Sequence, residues 1–470
     1  MKNLIFVFAD QWRRTAVGFA GEEPVFTPNI DAFARRGVVC TNAVSSYPLC
    51  SPHRASLLTG KRPLSTGVFT NCKAGLSMRL SDNEQTLGDV LKAAGYRTGY
   101  IGKWHLDEPE LNHTQNSISG ACDWDAYTPP GKARHGFDTW YSYGACDDHL
   151  SPHYWQNSPS SVQVDDWSVR HETDKALKFI AEQNAKTPFA LVLSYNPPHN
   201  PYEQVPNEYL KHYENDDLKL RANVKTDNLC YHTGEQINYT PEQLQCATKQ
   251  YYAAVTGIDD QFARILAALD SNGLTENTCV VLSADHGDMM GSHGLMAKHV
   301  WYEESIGIPF IACGPGITPG TCASVLASED IMPTLLDWLC LLTPDSVEGK
   351  SRFSQMQAHT QDDDSLATIC ACPGSKKFLK EFAAANLDPR CFGWRALRTL
   401  KYTYVIELGY TPHPCTRRYL YSLSDDAYQM NPIILQNASE NATALELEDM
   451  LIKRLREQKD GFVNYIDITL

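Results

Sequence analysis

The chain has no apolar run near the ~18 residues a membrane helix requires, which excludes a helical membrane-spanning protein. It has no basic excess either. Its 41 Lys and Arg face 56 Asp and Glu, for a net charge of −15, and that opposes the counterion-releasing contacts of nucleic-acid binding. An anionic small substrate stays compatible, because a local cation cluster outweighs a distant net charge. No C-x-x-C pair occurs among the 15 cysteines, which argues against a zinc ribbon or a dithiol redox motif. Their number is odd, so at least one is unpaired within the chain, and the set reads as reduced, mostly buried thiols. The N-terminal stretch does not read as a secretory leader either. The apolar run after Lys2 is about six residues, too short for a signal core, and no small-residue cleavage site follows. The expected location is cytoplasmic if this is the full chain, and periplasmic or secreted if a leader has been removed.

What is present is a composition ordinary for a globular protein, 43% hydrophobic and 21% charged over 470 residues. Short apolar runs at 3–9, 98–102, 189–195, 279–284 and 308–314 lack strict alternation and are bounded by turn signals, as strands buried on both faces are. Helical patterns lie between them, at 86–95 ending on Gly95 and at 247–273 ending on Gly273. This alternation predicts an α/β layered domain with a mostly parallel central sheet. After about residue 345 the texture changes to aromatic and β-branched segments separated by turns, then a charged helix near 443–458. We place the catalytic domain at 1–365 and a smaller α+β subdomain with an antiparallel sheet at 366–470. The change of texture permits a boundary anywhere from 350 to 390.

In an open parallel sheet, functional groups collect at the carboxyl ends of the strands. Asp10 and Gln11 follow the first run, Lys103 and His105 the second, His199 the third, and Asp285 and His286 the fourth, with Lys298 shortly after. Each alone has an ordinary explanation as a helix cap or a satisfied polar group; their shared position is the signal. Asp10, Gln11 and Asp285 are oxygen donors that suit a hard divalent cation, and His286 adds a nitrogen. Arg54, Lys103 and Lys298 then remain as surplus positive charge for a compact anion. Cys50 opens "CSPHRASLLTG", in which Pro52 fits a first helical turn and Gly60 a stop. A helix mouth stabilises anions there, and Arg54 lies one turn on. The "YGACDDHLSPHYW" segment (143–155) is a candidate sugar-binding loop, although its H-x3-H spacing contains Pro152 and is no metal motif.

These stretches resemble the formylglycine-dependent sulfatases of the alkaline phosphatase superfamily. "CSPHRASLLTG" fits the C-x-P-x-R signature, with "PNIDAFARRGVVCTNA" upstream of it and "LGDVLKAAGYRTGYIGKWHL", "DHGDMMGSHG" and "LRTLKYTYV…LYSLSDD" downstream, in the family's order over nearly the whole chain. The resemblance implies an alkaline-phosphatase-like fold and oxidation of Cys50 to formylglycine by a maturation enzyme. The aldehyde hydrate supplies one hydroxyl to attack the sulfur of a sulfate ester and a second to expel the sulfate. By position, Asp10, Gln11, Asp285, His286 and residue 50 match the metal ligands, for Ca2+ or alternatively Mg2+ or another divalent ion. Arg54 would steady formylglycine, Lys103 and Lys298 hold sulfate oxygens, His105 act as base, and His199 protonate the leaving alcohol. The family often has Asp-Asp where this chain has Asp10–Gln11, and Asp-Asn where it has Asp285–His286. Family grounds favour a sulfated carbohydrate as substrate, with Trp394, Arg395 and His413 placed to close the pocket. A phosphonate or phosphodiester hydrolase is the alternative within the superfamily. A non-catalytic sulfated-sugar binder is the alternative outside enzymes, and it would need neither a nucleophile nor a proton donor.

Overall fold

The first strand, Asn3–Asp10, is buried at every position, as a strand covered on both sheet faces must be. In the computed structural model, which describes residues 1–183, 186–214 and 218–466, it lies inside an eight-stranded sheet. The order across that sheet is Gly320–Ala327, Val38–Val44, Phe310–Cys313, Thr278–Ala284, Asn3–Asp10, Phe189–Pro198, Arg97–Lys103 and Thr139–Tyr143. Neighbours run parallel except at Phe310–Cys313, which is antiparallel to both strands beside it. The predicted run at 308–314 is therefore a strand, but of opposite direction to the others. The sheet register aligns Leu4 with both Ala190 and Cys279, so these three strands end at one edge and bring their following residues together.

Local chemistry fixes the main helices. Pro241–Ser271 starts earlier than its apolar pattern because Thr240 and Gln243 form a reciprocal capping box and Pro241 occupies the first turn. Cys50–Thr59 is buried along its length and ends at Gly60, whose φ of 63° is left-handed. At the end of the Arg97–Lys103 strand, Gly102 has φ 98°, and a Cβ there would stand 2.1 Å from the Ser194 carbonyl oxygen. Only glycine fits that approach, and it sets the direction of Lys103.

A second sheet of five antiparallel strands follows, from Ala367–Ala371 to Ile433–Leu435. The helix Ala442–Glu457 lays Leu447, Leu451 and Leu455 against it, a spacing of four that forms one helical face. Tyr47, Trp301 and Ile306 from the larger part share a core with Ile369, Trp394 and Val405 from the second sheet. Among the described residues, no helix is long and apolar enough to cross a membrane. All 15 cysteines are free.

The seam also carries charge. Glu303 accepts from Arg14 Nη2 at 2.5 Å and from Arg398 Nε at 3.2 Å. Burial alone would raise its pKa, but Arg398 and Arg14 outweigh it and bring the carboxyl down to about 2. A depressed folded value gives stability that is present above the unfolded value of 4.5 and lost as pH falls toward 2. The difference amounts to about 3 kcal/mol. Urea unfolding of wild type and Glu303→Gln should therefore diverge above pH 4.5 and converge near pH 2. Parallel curves across that window would contradict this role.

Candidate active site

The strand ends converge on a buried charge cluster. The Asp10 Oδ2 accepts from Lys103 Nζ at 2.7 Å and from Arg54 Nη2 at 3.1 Å. Arg54 Nε donates to Asp285 Oδ2 at 3.2 Å, and Nη1 donates to the Lys103 carbonyl and to Ser194 Oγ, each at 2.7 Å. Arg54 thus spans both carboxylates, with its donors directed to them and not to residue 50. Burial favours the neutral Asp10, but Lys103, His199, Arg54 and Lys298 hold its pKa well below the usual carboxylate value. Asp285 Oδ1 accepts from the backbone N–H groups of Gln11 at 3.0 Å and His286 at 2.8 Å, which fixes its orientation.

Asp10, Cys50, Asp285 and His286 offer ligand atoms that all lie within 4.8 Å of one another. His286 Nδ1 is bonded to the Gly287 carbonyl at 3.0 Å, so the proton sits there and Nε2 presents a lone pair. That Nε2 is 3.4 Å from Cys50 Sγ and 3.6 Å from each carboxylate. Two carboxylate oxygens, one imidazole nitrogen and the residue 50 side chain fit a divalent cation. Gln11 adjoins the cluster with φ 67°. Its Oε1 accepts from Lys298, and its Nε2 donates to Asp288 Oδ2 at 2.6 Å.

Cys50 occupies the first residue of its helix and is fully buried. Burial and Asp10 oppose ionisation of its thiol, yet Lys298, Lys103 and His286 outweigh them and hold its pKa well below the usual thiol value. His105, in a left-handed conformation at φ 53°, bonds the Cys72 carbonyl through Nε2 at 3.0 Å. Its Nδ1 is buried without a hydrogen-bond partner within normal distance among the described residues, and burial lowers the ring's pKa against the opposing effect of Cys50. The lowered pKa favours the neutral imidazole, which presents a lone pair on the side of Cys50. His199 bonds the Asn200 carbonyl through Nδ1 at 2.6 Å and Lys298 Nζ through Nε2 at 2.9 Å.

Cys50, Lys103, His105, His199 and Lys298 line one cavity of about 970 Å³. Asp10, Gln11, Arg54, Asp285 and His286 thus lie in or beside the cluster, and the other five predicted catalytic residues line this cavity. Ala145, Cys146, Asp147 and His153 of the 143–155 segment line it too. Three expectations for the C-terminal unit need correction. Arg395 points away, into an ion pair with Asp460 at 2.6 Å, and His413 is exposed outside the cavity. Trp394 acts from behind, with its indole N–H donating to the His299 carbonyl at 3.2 Å. The wall from this unit is instead Gly374 and Ser375.

The sequence reading missed Asp288, Ser194 and Asn196. Asp288 orients Gln11, and its signal was the second carboxylate of "DHGD". Ser194 and Asn196 hold Arg54 and Lys103, with Asn196 Oδ1 accepting from Lys103 at 2.9 Å. Both lie in the Phe189–Pro198 strand and looked like strand interior.

The chain belongs to the sulfatase family: the family model described as Sulfatase matches residues 2–341. It is 34% identical to an endo-4-O-sulfatase of Bacteroides thetaiotaomicron over 93% of this chain and 89% of that one. It is 33% identical to an ulvan-active sulfatase of Formosa agariphila over 98% of this chain and 82% of that one. A solved structure from work on the metabolism of multiple glycosaminoglycans by Bacteroides thetaiotaomicron superimposes with a TM-score of 0.85, at 32% identity, covering 99% of this chain and 98% of the other. The enzyme is accordingly a sulfuric ester hydrolase with the alkaline-phosphatase-like layered fold.

Proposed function

We propose that this sulfatase hydrolyses a sulfate monoester on a sulfated saccharide, with Cys50 matured to formylglycine and a divalent cation held by Asp10, Asp285, His286 and residue 50. The observation that carries this reading is the convergence of those four side chains at the mouth of the Cys50 helix, with Cys50 itself on the wall of a cavity also lined by Lys103, His105, His199 and Lys298. A glycan substrate is supported by relatives named for endo-4-O-sulfate and ulvan, and by the structure from work on glycosaminoglycans. Calcium is the cation we assign, because oxygen donors dominate the set; magnesium is the alternative. Gln11 would join through Oε1 only by releasing Lys298.

When matured, residue 50 supplies a hydrated aldehyde, one hydroxyl as nucleophile and one for sulfate release. The cation supplies charge neutralisation and nucleophile activation at the same point. The chain's own residues then divide the work. Arg54 and Lys103 fix Asp10, and Arg54 fixes Asp285. Lys103 and Lys298 reach into the cavity as ammonium groups for the sulfate oxygens. His105 takes a proton at Nδ1, the atom left without a partner. Lys298 Nζ donates to His199 Nε2, and the proton for the leaving alcohol passes from that ammonium through Nε2.

Proton donation matters only for a poor leaving group. His199→Ala should lower kcat/KM on a sulfated sugar by about a hundredfold, and on an activated phenyl sulfate by less than about tenfold. Equal losses on both would contradict the role. The function as a whole is tested on a panel of sulfated saccharides of known linkage beside matched phosphate monoesters and diesters. Sulfate release from a saccharide is expected. A strong phosphodiester preference would make the chain a phosphodiester or phosphonate hydrolase instead, and glycan binding without turnover would make it a binding protein.

A further inference from the structure

One wall of the cavity carries charge that sulfate cleavage does not use. Trp124, 44% exposed, has its ring centroid 6.2 Å from that of His105. The Lys73 ammonium lies 5.0 Å from the same indole centroid. Lys376, the first residue of the helix Lys376–Ala384, follows directly on Gly374 and Ser375 of the cavity wall, and its Nζ lies over Gly75, 2.9 Å from where a Cβ would stand. Neither lysine forms an ion pair among the described residues. Burial and the neighbouring Lys376 push the Lys73 pKa down. Two like charges without a counter-ion, one of them partly buried, are a net cost to the fold that a bound anion removes.

A second observation comes from the same cavity. His299 is 2% exposed, and neither of its ring nitrogens has a hydrogen-bond partner among the described residues. The His232 ring stands 4.3 Å from it, and both line the cavity. Buried polar atoms are normally satisfied, so an orphaned imidazole facing a cavity awaits a ligand group. An exposed indole, an uncompensated cation pair and an unpartnered imidazole together are complementary to a sugar ring with an acidic substituent. Asp123, Asp125, Asp147 and Glu235 also line the cavity, which confines this second anion contact to the lysine pair and leaves the acidic stretches of wall to hydroxyl groups.

From this wall we infer that Trp124, Lys73 and Lys376 form a second anion subsite. The sugar ring stacks on Trp124, and its carboxylate or second sulfate pairs with the two ammonium groups, on the unit adjoining the ester being hydrolysed. The inference rests on the glycan-sulfatase reading and narrows it: the substrate carries at least two anionic groups.

The test uses the mature, cation-loaded enzyme and monosulfated uronate-containing glycosaminoglycan disaccharides, compared with their carboxyl-reduced forms and with carboxyl-reduced disulfated forms. Wild type should prefer the doubly anionic substrates by about tenfold or more in kcat/KM, chiefly through KM, and the preference should shrink with added salt. The arm that shows the preference tells uronate from second sulfate. Lys73→Gln/Lys376→Gln should lower the ratio of doubly to singly anionic kcat/KM by about tenfold, and Lys73→Arg/Lys376→Arg should restore it. Equal wild-type rates on all forms, or a double variant that lowers every substrate by one factor, would overturn the subsite. Calorimetry of the same disaccharides on Cys50→Ala protein reads the subsite without turnover. If no saccharide releases sulfate, the glycan reading fails, and the calorimetric preference still decides whether the subsite exists.

Discussion

Cys50→Ala is expected to abolish sulfate release, a loss of at least about a thousandfold in kcat, while leaving unfolding stability within about 1 kcal/mol of wild type. The separation follows from where the side chain sits. Its Sγ faces Asp10 and His286 at 3.6 and 3.4 Å, inside the polar cluster and not in the apolar core, so deleting it leaves no large cavity. The charges that hold the site together do not pass through it: Arg54 and Lys103 are bonded to carboxylates, to Asn196 and to Ser194. Sulfate release followed beside urea unfolding measures both halves. A variant retaining substantial turnover would remove residue 50 from the reaction.

Asp10→Asn should fail in both respects. The amide keeps the shape but cancels the charge facing Lys103 at 2.7 Å and Arg54 at 3.1 Å. Both cations are buried, and a buried charge that loses its partner costs about 3 kcal/mol or more. Turnover should fall by about a thousandfold as well, because the variant removes an anionic ligand from the cation cluster. Urea midpoints measured after chelation separate the two effects. Full stability in the Asn variant would mean that Asp285 alone neutralises the cluster.

Much of this site was legible in the chain itself, for a physical reason. Strands buried on both faces are written as unbroken apolar runs, so their ends are visible, and the polar residues after them are brought together by parallel packing. Asp10, Lys103, His105, His199 and Asp285 were found that way. Strand direction is not written in composition, so the antiparallel run at Phe310–Cys313 could not be told from its parallel neighbours. The early start of the Pro241–Ser271 helix was present as Thr240, Pro241 and Gln243, but the apolar period there begins later than the cap. Arg395 misled because a cation in the second unit looks available until its partner, Asp460, is brought to it by the fold. Lys73, Trp124 and Lys376 lie far apart in sequence, without a shared motif, and only tertiary packing sets them side by side.

The most direct measurement is the mass of the peptide containing residue 50, taken from protein that is turning over a sulfated saccharide. The account predicts a peptide lighter than the encoded one by the replacement of the thiol with an aldehyde carbonyl, in proportion to specific activity across preparations. Fully active protein in which that peptide retains its sulfur would contradict it.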